Sequence, residues 1–568
     1  MNEIKHAWNL ESIYPSIDSR EYRRDKDELV QRSESLIDEL IPALSADAPE
    51  DHHARWLEAV EAFSRLFHLT ENLESYVYAL WSTNTADEAA QGEIDDLESR
   101  KLILKDAAVR FREVLRGSDE RSFKDSDLLG PYRFWLAEQR LLASRQMSPA
   151  EESLAADLQR SGGDAWDRLH GKLISTLSWP WENQRKTLTE LRGMASHADR
   201  DIRRRAWQAE TALLESAEIP LAAALNGVKG TSAVLNARRG WSGTLERSLF
   251  QNRLSRRGLD AMLDAMGESL PIFRRCLQGK ARALGLDILS WYDLFAPLGT
   301  RTRTWSWEQT AEFIPRMFDT FARPMGDFAR RAFAEQWIDV YPRSGKVGGA
   351  YCTHFPLARE SRILCNFDGS FDSVFTAAHE LGHAWHGEVM KQLPALNSAY
   401  PMTLAETASI FAETLVFRAA LAEASPEDRL SILDTYLMGA GQVIVDILSR
   451  FHFESKLMEA RPKGELSPRE LSEIMLEAQQ RTYGDALHPE ERHRWMWAVK
   501  SHYYAPDLAF YNFPYAFGQL FALGLYARFR DEGEDFARQF NELLRRTGSD
   551  DAAGVARHAG FDIEHPDF

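Results

Sequence analysis

In the stretch Asp372-Ser-Val-Phe-Thr-Ala-Ala-His379-Glu380-Leu-Gly-His383-Ala-Trp-His386, two histidines stand four residues apart and a glutamate follows the first. On a helix of about 3.6 residues per turn, positions four apart share a face, so the His379 and His383 imidazoles can converge on one metal ion. Glu380 is rotated to one side. It can reach a metal-bound water without ligating, which is what a general base must do. This is zinc-hydrolase chemistry, with Zn2+ as the cofactor and one ion per chain.

A tetrahedral catalytic zinc takes three protein ligands and leaves a position for water. The metzincin pattern would need Gly at 386 and His at 389, and the chain has His386 and Val389. That class is excluded. The other common solution is a glutamate from a following helix, and Glu406 opens such a stretch in Thr403-Leu-Ala-Glu406-Thr-Ala-Ser-Ile-Phe-Ala-Glu413. Thr403 and Glu406 also fit a capping box, in which the acid bonds back to the cap amide. The upstream motif favours the ligand role, and capping remains the alternative. Glu388 is a poorer third ligand, because nine positions from His379 is about half a turn away. Glu413 falls on the same face as Glu406. It could orient a ligand histidine or be a plain surface glutamate. His386 lies one turn beyond the histidine pair and reads as a neighbour of the site, not a fourth ligand.

These side chains need a helix to carry them. Ser370 is a plausible cap, and Phe371, Val374, Phe375 and Ala378 form a packing stripe. Gly382 sits mid-helix at a cost of about 1 kcal/mol relative to alanine, so something should pack close there. The natural candidate is a β hairpin at about 345–367, formed by Gly345-Lys-Val-Gly-Gly-Ala-Tyr351-Cys-Thr-His-Phe355 and Arg362-Ile-Leu-Cys-Asn-Phe367 around Pro356. An edge strand beside the motif helix could hold an extended peptide by main-chain hydrogen bonds, or the hairpin could be purely structural.

The rest of the chain reads as mainly α. Residues 1–195 form an expected all-helical N-terminal domain, with a loop at Ser45 to His53 and a helix start at Ser148-Pro149. Residues 196–568 form the expected catalytic domain, with turns at Asn236 to Gly243 and Ala296 to Gly299, a break near Arg461 to Gly464, and an aromatic-rich block from His502 to Gly518. With 68 basic and 86 acidic residues, the net charge of -18 repels phosphate and argues against nucleic acid as a partner. The cysteines Cys276, Cys352 and Cys365 are too few and too scattered for a disulfide framework or a cysteine zinc site. The start has no signal-peptide pattern and no apolar run reaches about 18 residues, so a cytoplasmic protein with no membrane span is expected.

The chain resembles the oligoendopeptidase F and thimet oligopeptidase family of zinc metallopeptidases. The resemblance rests on Trp8 to Pro15, Ser148 to Glu152, Gly162 to Trp166, Gly349-Ala-Tyr351, Phe375 to His383, Ala405 to Phe411, the aromatic block 510–518 and the tail segments Ala559 to Ile563 and Pro566 to Phe568. It implies a two-lobed helical fold around a deep central channel, with the metal at its floor and a small β-sheet beside the motif helix. It implies an endopeptidase that hydrolyses internal bonds of short peptides, with His502, Tyr511 and Tyr515 facing substrate and able to stabilise the oxyanion. Gly518 stands near where some relatives carry a further tyrosine. In the expected mechanism Glu380 takes the proton of the attacking water and returns it to the leaving amine. The alternatives are a helical zinc metallocarboxypeptidase and a non-catalytic peptide-binding protein.

Overall fold

The computed structural model describes residues 6–45, 52–119, 123, 126–299, 304–565 and 567–568. Helices dominate, joined by five short strands among the described residues. Of the expected loop at Ser45 to His53, residues 46–51 lie outside the described residues, and a helix begins at His52. Pro566 of the tail is outside them as well.

The chain divides into two compact units, and neither is contiguous. One contains residues 1–152, 303–420 and 520–561; the other contains 153–302, 421–519 and 562–568. This interleaved partition differs from a linear division at 195.

The first unit carries the motif helix, Phe371–Met390. Ser370 caps it, its hydroxyl accepting from the Ser373 amide at 3.2 Å. Asp372 in the first turn sits at the positive end of the helix dipole. Val374, Phe375 and Ala378 are buried as the stripe requires, while Phe371 is half-buried and packs edge-on against Phe375 and Trp305. Beside this helix lies a three-stranded sheet. Strands β4 (Tyr351–Phe355) and β5 (Glu360–Leu364) form the expected hairpin, in register from Tyr351 opposite Leu364 to Phe355 opposite Glu360. Strand β3 (Ile338–Asp339) adds in parallel to β5, giving the order β3-β5-β4, so β4 is an edge. Both hairpin strands pack on the motif helix.

The N-terminal segment is built into this unit. The Tyr351 and Ser82 hydroxyls share a hydrogen bond at 2.7 Å, and Thr353 donates to Ser75 at 2.6 Å from the same strand. Buried Arg362 of β5 donates to the Asn9 carbonyl at 2.8 Å and the Ser12 hydroxyl at 2.7 Å. One apolar cluster runs from Tyr14, Trp56 and Phe63 through Tyr76 to Phe355 and Leu396.

The second unit has its own core, which includes Leu214, Leu225, Phe453, Leu471, Trp497, Tyr503 and Tyr504. It also corrects the all-helical reading of 1–195. Strands β1 (Ser178–Trp181) and β2 (Gln184–Thr187) make an antiparallel hairpin there. The turn expected from Asn236 begins later, because its helix continues to Arg238. One continuous helical stretch, Asp428–Lys463, is long and apolar enough to cross a membrane by length and composition. It carries Asp434 paired with Lys280 at 3.0 Å and Asp446 paired with Arg450.

Candidate metal centre

Two helices of the first unit meet at the histidine pair. The second runs from Met402 to Glu423 and carries Glu406 in its first turns. Gly382 is where they touch. A Cβ added there would come within 2.6 Å of the Ala408 carbonyl oxygen and the Ser409 Cα. The close neighbour of Gly382 is therefore this helix and not the hairpin, because the glycine lies on the side of the motif helix turned to Glu406. The hairpin meets the motif helix one turn later. A Cβ at Gly387 would come within 2.6 Å of the His354 ring of β4.

That approach brings three donor atoms together. Glu406 Oε2 lies 3.2 Å from His379 Nε2 and 3.5 Å from His383 Nε2. All three ligand atoms fall within 4.8 Å of one another, and no other such group occurs among the described residues. Donors about 2.1 Å from a tetrahedral ion stand about 3.4 Å apart, so the set fits zinc with little movement. Thr403 is inside the helix and not at its cap, and the Glu406 carboxylate accepts from the Ser409 hydroxyl at 2.9 Å.

Electrostatics follow from burial and these contacts. Burial alone would raise the Glu406 carboxyl, but the two imidazoles hold it down at about 2. Burial would likewise lower His379, yet hydrogen bonds to Glu406 and Glu413 raise it well above the ordinary imidazole range. Burial and the nearby His379 push His383 down to about 3. A metal ion held by the three residues would supply positive charge beside the Glu406 carboxylate. Glu380 is buried, and burial with the Glu406 charge pushes its carboxyl up to about 7, against the opposing pull of His379.

The neighbours separate clearly. Glu413 Oε2 lies 3.3 Å from His379 Nδ1. His386 turns away from the donor cluster: its Nε2 meets the Thr547 hydroxyl at 2.9 Å and its ring stacks on Tyr400 at 4.1 Å. Glu388 pairs with Arg331 at 3.0 Å and with Lys391.

His502, Tyr511 and Tyr515 belong to the second unit and form a cluster of their own. The two tyrosine hydroxyls are 2.9 Å apart, and the His502 ring stacks on Tyr511 at 5.3 Å. Phe510, just before them, has φ of 54°, a left-handed conformation that costs a non-glycine residue about 1 kcal/mol or more. Its amide is held by Glu454 at 2.9 Å, and Glu454 is paired with buried Lys229 at 3.0 Å. This buried ion pair sets the direction in which the chain enters Tyr511. Sequence reasoning missed Ser409, Glu454 and Asn512. Only Ser409 has a sequence signal, three residues after Glu406 on one helix.

The model of peptidase family M3 matches residues 193–568, and that of oligopeptidase F matches 120–178. An oligoendopeptidase F homologue of Lactococcus lactis subsp. lactis (strain IL1403) is 25% identical over 593 residues, covering 100% of this chain and 95% of the relative. Oligopeptidase PepF of Bacillus subtilis (strain 168) is 22% identical over 588 residues, covering 100% of this chain and 85% of its own length. The crystal structure of oligoendopeptidase-F from Enterococcus faecium shares the fold at a TM-score of 0.71 and 19% identity, covering 96% of this chain and 95% of that one. The structure of PZ peptidase A with inhibitor 2 does so at 0.75 and 17%, covering 99% and 95%.

Proposed function

This chain belongs to peptidase family M3, and on that premise we propose that it is a zinc-dependent endopeptidase acting on internal bonds of short oligopeptides. The observation that carries the reading is the convergence of His379, His383 and Glu406 beside a buried Glu380. Zinc held by those three residues supplies a Lewis acid that lowers the pKa of water to about 7 and polarises a carbonyl.

The chain's own residues do the rest. Glu380 takes the proton of the attacking water on a carboxylate oxygen and delivers it to the leaving amine. Its burial keeps competing solvent away from that oxygen. Glu413 holds His379 through Nδ1, so that Nε2 faces the donor cluster. His502, Tyr511 and Tyr515 are, on the resemblance to the family, the proposed hydrogen-bond donors to substrate. The free edge of β4 offers main-chain donors and acceptors to an extended peptide, which suits a substrate recognised by backbone more than by side chain. The names of the relatives, oligoendopeptidase F and oligopeptidase PepF, support short peptides and internal cleavage. All the proposed site residues lie in 196–568, and the family model's start at 193 supports treating that stretch as the catalytic domain after an N-terminal domain of 1–195. We assign the protein to the cytoplasm.

The ligand set is tested by metal content. The purified protein should carry one zinc per chain, and Glu406→Ala should lose it. Full zinc in that variant would return Glu406 to a structural role.

A further inference from the structure

A polar chain in the second unit runs from Asp446 through Arg450 and Asn512 to His502, and the peptidase reading uses only its last member. Arg450 pairs with Asp446 one turn before it on the same helical stretch. Its Nη1 donates to Asn512 Oδ1 at 2.9 Å. A guanidinium has donors only, so the amide oxygen must be the atom that faces it. That leaves the Asn512 amide nitrogen, Nδ2, facing His502 Nε2 at 2.8 Å. An amide nitrogen donates and does not accept, so Nε2 of the histidine must be the acceptor. A neutral imidazole has one N–H, which is then on Nδ1. His502 Nδ1 has no hydrogen-bond partner among the described residues.

We propose that Asn512, locked by Arg450, is a positioning residue that fixes His502 as a neutral imidazole protonated on Nδ1, so that His502 meets substrate as a hydrogen-bond donor and not as a general base. The assignment deepens the peptidase reading and rests on it only for what the donor touches.

The surroundings agree. Asn512 is buried, so the amide cannot exchange its partners for solvent. Burial, followed by the Arg450, Lys500 and Lys229 charges, pushes His502 down to about 3, which keeps the ring neutral. Tyr511 stacks on one face of the ring and Tyr503 meets it edge-on at 4.6 Å, so rotation to exchange the two nitrogens is hindered. A hydrogen-bond donor to substrate needs a ring N–H that is not already engaged within the protein, which the Nδ1 tautomer supplies.

The test is nitrogen NMR of the full chain labelled with 15N-histidine, with His502 assigned by its loss in His502→Gln. The expected spectrum has an unprotonated Nε2 and a protonated Nδ1 from about pH 6 to 8. Asn512→Asp replaces the donor with an acceptor opposite Nε2. The Nε2 signal should then move to the protonated range, and kcat for a blocked peptide should fall about 100-fold with zinc content unchanged. A proton on Nε2 in the wild-type protein overturns the proposal, as does a reversed tautomer in Asn512→Asp with wild-type kcat. The wild-type spectrum decides the tautomer even if the variant does not fold. A protein that has the expected tautomer but cleaves no peptide would refute the peptidase reading and leave the tautomer standing.

Discussion

His379 Nδ1 lies 3.3 Å from Glu413 Oε2, while the same ring's Nε2 lies 3.2 Å from Glu406. One imidazole is thus gripped by two carboxylates from the same helix, two turns apart. The outer one orients the ring and would make Nε2 a stronger donor to a metal. Glu413→Gln should therefore weaken zinc binding about 10- to 100-fold in competition with a chromogenic chelator. Unchanged affinity would make Glu413 an ordinary surface residue.

Gly382 decides how closely the helices that carry His379, His383 and Glu406 approach. Alanine there would meet backbone atoms of Ala408 and Ser409, which cannot swing aside as a side chain can. Gly382→Ala should destabilise the protein by about 1–3 kcal/mol, read as a lower Tm, and should also reduce zinc retention by moving Glu406. A wild-type Tm together with full zinc would show that the helices tolerate greater separation.

What was legible in the sequence follows from the range of each interaction. The motif helix, its Ser370 cap and the β4–β5 hairpin are local, set by spacing, caps and a turn, and they appear in the structure. The partner of Gly382 was not legible, because the glycine signals closeness without saying to what. Strand β3 was missed because it is two residues long and pairs in parallel across a sequence gap. The β1–β2 hairpin was hidden by its mostly exposed, charged and proline-containing strands, which show no alternation of apolar residues. The interleaved units depend on contacts such as Arg362 to Asn9 and Ser12, hundreds of positions apart. His502, Tyr511 and Tyr515 came from resemblance alone, and Asn512 between them carries no motif.

Glu71 gives a pH dependence of stability. Burial, with a smaller contribution from Glu74, pushes its carboxyl up to about 7. It lines a cavity with His68, His354, Arg359, Glu360, Glu388, Lys391 and Tyr400. Because the folded-state pKa lies above the unfolded one, the folded protein binds the extra proton. Its contribution to stability is therefore fully present at acidic pH and lost as pH rises through about 7. Glu71→Gln should raise Tm relative to wild type at about pH 8 and have much less effect at about pH 5. An equal shift at both values would mean that Glu71 stays ionised in the folded state.

Metal-dependent cleavage inside a peptide is the activity that the His379, His383, Glu406 and Glu380 arrangement predicts. The most direct measurement is hydrolysis of a quenched fluorescent peptide blocked at both ends, with chelator, with zinc restored, and with Glu380→Gln. The wild-type protein should cut an internal bond, lose activity to chelator and regain it with zinc, while Glu380→Gln stays zinc-loaded and inactive. Cleavage that survives chelation, turnover by Glu380→Gln near the wild-type rate, or cleavage only of peptides with a free C-terminus would contradict it.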